Sequence, residues 1–91
     1  MNRIWEADPS AGFARRLGKP AALLDPPQSG VRDGCPEIWA MDNGDVAVIG
    51  RDLTDVYRSY LPDNVRIADD ERLVIIPGNL LSSAKPDIAD A

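Results

Sequence analysis

Apolar positions in the second part of the chain fall into short blocks whose spacing changes from one block to the next. Glu37 to Met41 and Asp45 to Ile49 are joined through Asp42-Asn43-Gly44, and an Asn-Gly pair supplies the positive φ angles of a tight turn. This predicts a β-hairpin. Val46-Ala47-Val48-Ile49 leaves no polar position, so the second limb is expected to be central and covered on both faces. Beyond Gly50, the residues Leu53, Val56, Tyr57, Tyr60 and Leu61 recur at the spacing of one helical face. Asp52 stands where an N-cap belongs, Asp55 and Arg58 match the helix dipole, and Pro62 terminates the run. Leu73-Val74-Ile75-Ile76 reads as a third strand. Pro77 then opens a short helix with Leu80, Leu81 and Ala84 facing the core, ended by Pro86 and followed by a frayed tail from Asp87 to Ala91.

The order of hairpin, helix, strand and short helix predicts an α+β fold with a small three-stranded sheet, mixed or antiparallel. A strand-helix-strand link of this length permits a right-handed crossover, which favours a parallel pairing of the second and third strands. One helix cannot cover both faces of strands this apolar. The other face needs shelter, from a second copy, from the preceding segment or from a different protein.

Residues 1–34 read differently. They hold four of the eight prolines and four of the seven glycines, a density close to that of low-complexity chain. The expected organisation is a flexible arm over 1–34 and a small domain over 35–91. Within the arm, Ala11 to Leu17 can form a turn or two of helix stacking Phe13 on Leu17, weakened by Gly12 and Gly18 at its ends. Ala21 to Leu24 is a second apolar patch, and Asp25-Pro26-Pro27 closes it in extended form. Aromatic residues on a flexible arm suggest that the arm docks. Trp5, Phe13 and also Trp39, which projects from the sheet face opposite to Ile38 and Ala40, are therefore the candidate partner-binding residues.

Composition narrows the chemistry. In 91 residues a single core supplies only about 3–5 kcal/mol. No apolar run approaches the roughly 20 residues of a membrane span, and the first residues lack the apolar region of a signal peptide. A cytoplasmic protein without membrane contact is expected. There is no histidine and one cysteine, which argues against transition-metal sites, an internal disulfide and histidine-based general base or nucleophile chemistry. The net charge is −5, made of +1 over residues 1–34 (five bases, four acids) and −6 over 35–91 (five bases, eleven acids). Direct nucleic-acid binding is not expected, because phosphate backbones would repel it.

The remaining constellations read as structure. Asp42-Asn43-Gly44-Asp45 offers oxygen ligands but lacks the bidentate glutamate of a calcium loop, so it is a turn. Asp69-Asp70-Glu71 is read as a solvated link, since adjacent carboxylates diverge and an acid pair for hydrolysis must oppose one another across a cleft. Cys35 has Arg32 near it but also Asp33 and Glu37, and is read as a small buried or half-buried apolar residue. Ser82-Ser83 with Lys85 matches a serine–lysine pair in composition alone, and no glycine spacing forms a phosphate loop. No catalytic residue, metal ligand or cofactor site is assigned.

Cys35-Pro36-Glu37-Ile38-Trp39, the stretch from Asn43 to Thr54, and Glu71-Arg72-Leu73-Val74-Ile75-Ile76-Pro77 resemble a group of small actinobacterial proteins of the streptomycete type. The resemblance covers residues 35–88. It implies a similar fold, a gene neighbourhood with helix-turn-helix regulators, and a role in regulation or development, and it transfers no functional residue. The expected function is a non-enzymatic, regulatory and homodimeric protein-interaction module. An acidic anti-activator or antitoxin-like partner that masks a DNA-binding regulator is the alternative, and a small enzyme using carboxylates alone is a third class.

Overall fold

The computed structural model describes residues 4–30 and 34–88. The hairpin is present: β2 (Glu37–Met41) pairs antiparallel with β3 (Val46–Ile49), with Trp39 opposite Ala47 and Ile38 opposite Val48. Its turn is wider than the Asn-Gly pair predicts. The Gly44 N–H donates to Met41 O at 3.2 Å and the Met41 N–H to Asp45 O at 2.8 Å. Gly44 takes φ +93° while Asn43 stays at negative φ and accepts the Asp45 N–H on its side chain at 3.0 Å. This is a three-residue loop closed by a glycine bulge.

The segment expected to be a flexible arm enters the fold. Phe13–Arg16 is a strand, β1, and not a helical turn; it pairs antiparallel with β2 and carries an irregularity between Phe13 and Arg15. The sheet order is β1-β2-β3. Leu17 continues the ladder by donating to Ile38 O at 2.8 Å, and Gly18 then turns at φ +77°, its N–H donating to Asp87 Oδ2. A Cβ at Gly18 would lie 2.5 Å from Ser83 Oγ, so only glycine lets the chain pass this close to the last helix. A 3₁₀ turn over Ala21–Leu23 buries Ala21 and sets Leu24 into the core.

The predicted third strand lies elsewhere. Val74–Ile75, β5, pairs antiparallel with β4 (Arg51–Asp52) in a separate two-stranded sheet, so every pairing is antiparallel and the expected parallel crossover is absent among the described residues. Between them runs one turn of helix, α1 (Thr54–Tyr57), followed by a 3₁₀ turn over Arg58–Tyr60. Leu53, not Asp52, takes the N-cap position, its C=O accepting the Tyr57 N–H at 3.1 Å; Asp52, one residue earlier, accepts the Thr54 N–H on Oδ1 at 3.0 Å in a local side-chain turn. The apolar stripe, however, faces solvent: Val56, Tyr57 and Tyr60 are exposed, and Thr54 is the buried residue, its Oγ1 accepting the Leu73 N–H at 2.7 Å.

The last helix, α2 (Gly78–Ile88), runs past Pro86 instead of stopping there. Pro86 removes its own N–H from the ladder and its ring crowds the Ser82 carbonyl, yet the helix continues for two more residues. The frayed tail predicted from Asp87 is thus helical through Ile88, and its remainder, 89–91, lies outside the described residues. Leu80 and Ala84 are buried as the periodicity predicts, whereas Leu81 is exposed. The core consists of Leu17, Leu24, Ile38, Leu80 and Ala84, with Ala40 and Ile76 packed against it. It lies between α2 and one face of the three-stranded sheet.

Candidate interaction face

Strand alternation places Ile38 and Ala40 against the core and Glu37, Trp39 and Met41 on the opposite face. Pairing adds neighbours to that outer face. Ala47 lies opposite Trp39, Ile49 opposite Glu37, and Arg16 beside Trp39 on the other flank. Phe13 meets Trp39 edge-on, with ring centroids 5.8 Å apart at 78°. The Arg16 guanidinium stands 4.9 Å from the indole centroid.

One carboxylate organises the group. Glu37 Oε1 accepts from Arg16 Nε at 2.7 Å and from Trp39 Nε1 at 2.9 Å. The indole is therefore held on its polar edge by Glu37, on its face by Arg16 and by the Phe13 ring at its side. An edge-to-face aromatic pair contributes about 0.5–1.5 kcal/mol and an exposed cation–π contact about 0.5–1 kcal/mol. Burial of the Glu37 carboxyl would raise its pKa, but the hydrogen bonds from Arg16 and Trp39 and the guanidinium charge outweigh it and hold the group below its ordinary value. It stays ionised at neutral pH. A rigid aromatic platform results, with Phe13 64% and Ile49 42% exposed around a half-buried Trp39.

Two of the three predicted contact residues thus come together. Phe13 does so because its segment is a strand, and Trp39 both packs beneath that segment and remains accessible from above. Trp5 is exposed on the chain leading to β1. Arg16 and Glu37 were not singled out from the sequence. The spacing of Glu37 and Trp39 at i, i+2 on a strand is a readable signal, but nothing local ties Arg16 to residues 21 and 23 positions later.

The other constellations are placed as follows. Cys35, expected to be buried or half-buried, is exposed, and lines an open groove of about 460 Å³ with Gln28, Arg51, Leu53, Ile75 and Pro77. Arg32 and Asp33, the charges read beside it, lie outside the described residues. Glu71 Oε1 accepts the Ala68 N–H at 2.9 Å, and Arg72 donates to Asp69 O and Glu71 O, so this acidic stretch is braced as a turn. Ser82 and Ser83 donate to the helix carbonyls of Gly78 and Leu80. Among the described residues no group of three or more His, Cys, Asp or Glu side chains is placed to hold a metal ion, and no helix is long and apolar enough to cross a membrane. No protein-family model, curated protein or solved structure matches the chain.

Proposed function

We propose that this protein is a non-enzymatic, regulatory protein-interaction module that self-associates, and that the platform of Phe13, Arg16, Trp39 and Ile49 is its contact surface for another protein. The observation that carries this reading is unequal cover: α2 shields one face of the three-stranded sheet, and the aromatic face opposite stays partly open, with Phe13 and Ile49 exposed around a half-buried Trp39. Tryptophan and arginine dominate the residues whose truncation weakens protein interfaces most, and they do so when held rigid and ringed by less critical contacts. Glu37 supplies that rigidity here. An interface of this kind loses little side-chain freedom on binding, because the indole is already fixed.

The test begins with the tagged full-length chain, purified with whatever protein it carries, and proceeds to an affinity measurement on that identified protein. Trp39→Ser is expected to raise the Kd by at least about tenfold, the size of effect expected at an interface hot spot. Near-UV circular dichroism of the variant shows whether the fold persists. Equal binding by the wild type and by Trp39→Ser, or the recovery of no bound protein, defeats the reading.

A further inference from the structure

The two outer edges of the three-stranded sheet are built in opposite ways. On the β1 edge, Arg15 and Arg16 bring charge, the strand is irregular between Phe13 and Arg15, and Arg15 reaches across to donate to Asp87 O at 2.9 Å. Charged side chains and bulges are the devices by which natural sheets prevent edge-to-edge pairing. The β3 edge has none of them. From Val46 to Gly50 the sequence is Val-Ala-Val-Ile-Gly, with no charge, no proline and no bulge inside the strand.

Which backbone groups face outward follows from the ladder. Leu17 donates to Ile38 O and Asp42 to Gly12 O, so Ile38, Ala40 and Asp42 turn their backbone toward β1 while Glu37, Trp39 and Met41 turn theirs toward β3. Their partners Ile49 and Ala47 complete that inner ladder. Val46 and Val48 therefore direct their N–H and C=O groups away from β2, and among the described residues nothing bonds to them there. Their side chains are 55% and 42% exposed on the face that α2 occupies farther in.

We infer that β3 is the self-association edge, pairing antiparallel with β3 of a second copy of this chain about a two-fold axis at Ala47. This rests on the self-associating reading above and names the surface that performs it. In that register Val46 lies opposite Val48 of the second copy, and the two exchange the N–H···O=C bonds that each now lacks. The two Ala47 residues meet as the non-hydrogen-bonded pair, where Cα atoms approach to about 4.5 Å and a methyl side chain raises no steric conflict. Charge chooses the direction. Asp45 precedes the strand and Arg51 follows it, so antiparallel pairing brings the acidic end of one copy to the basic end of the other, whereas parallel pairing would align like charges. A continuous sheet with order β1-β2-β3-β3-β2-β1 results, flanked by an α2 from each copy on one face and bearing two Phe13–Trp39 platforms on the other.

Sedimentation equilibrium of the full chain, at concentrations up to roughly 100 μM, tests this with two edge variants. Val48→Lys adds a charged guard, and Val48→Pro deletes only an outward N–H, a change that edge strands tolerate. The wild type is expected to reach about twice its 9.9 kDa protomer mass, and both variants to remain at the protomer mass with native near-UV circular dichroism. A dimer that persists in both variants overturns the β3 edge while leaving self-association standing, and its loss in Trp39→Ser would then place the contact on the aromatic face. A wild type that stays at the protomer mass overturns both.

Discussion

Glu37 is the residue on which the outer face depends, because one oxygen atom fixes both Arg16 and Trp39. Its carboxyl is held below the ordinary value of 4.5. A folded-state pKa below the unfolded one contributes stability that is complete above the unfolded value and lost as the pH falls through the folded value. Glu37→Gln should therefore be less stable than the wild type in urea at neutral pH, with the difference closing as the pH falls below the ordinary carboxylate range and the Glu37 carboxylate is protonated. A gap that is constant with pH would exclude the charged form of Glu37 as its source. The face of Trp39 was legible because strand alternation alone sets it. Arg16 was not, since its role exists only once a strand from far away in sequence lies beside β2.

At the level of elements, the two helices invert the weight that periodicity assigns them. The stripe from Leu53 to Leu61 reads as having a cap, a dipole match and a terminator; Asp55 sits in the first turn and the helical run ends before Pro62, while the N-cap is Leu53 and Asp52 bonds the Thr54 N–H from one residue earlier. Yet no core lies beneath it, and Tyr60 is 75% exposed. α2, the longer of the two helices, instead carries Leu80, which is fully buried. Leu80→Ala should cost about 2–5 kcal/mol through lost burial and the cavity left behind, which is comparable to the whole stability expected of a chain this size. Tyr60→Ser should change stability by less than about 0.5 kcal/mol, as surface substitutions do. Urea midpoints of the two variants separate these outcomes, and a costly Tyr60→Ser would mean that the 3₁₀ turn after α1 packs more tightly than its exposure shows.

The whole molecule has more surface than its size explains. Its accessible surface is 7159 Å², against about 5,200 Å² for a compact monomer of this mass. The radius of gyration is 14.6 Å, against about 12 Å. Both excesses agree with a small core and with apolar groups left bare on β3, on β5 and on the aromatic face, which is the condition that binding relieves. The stretch from Phe13 to Leu24 is part of that core and not an appendage. Leu17, Ala21 and Leu24 are three of the six buried apolar residues among those described. Deleting residues 1–25 should abolish cooperative unfolding and native near-UV circular dichroism, whereas a dispensable arm would leave both intact.

What the sequence by itself determined is what neighbouring residues decide among themselves. The hairpin, the burial of Leu80 and Ala84 and the opposed faces of Ile38 and Trp39 all follow from turn chemistry and periodicity within a few positions. Tertiary structure decided which strands share a sheet and which apolar stripes find cover. Phe13-Ala14-Arg15-Arg16 has no alternation of its own and becomes a strand because β2 offers it an unpaired edge, and Val46 to Ile49 lies at the outer edge because Val74–Ile75, the strand expected beside it, pairs with Arg51–Asp52 instead. Burial and pairing are relations between distant parts of the chain, and when the core is this small, hydrophobic pattern states only what needs cover.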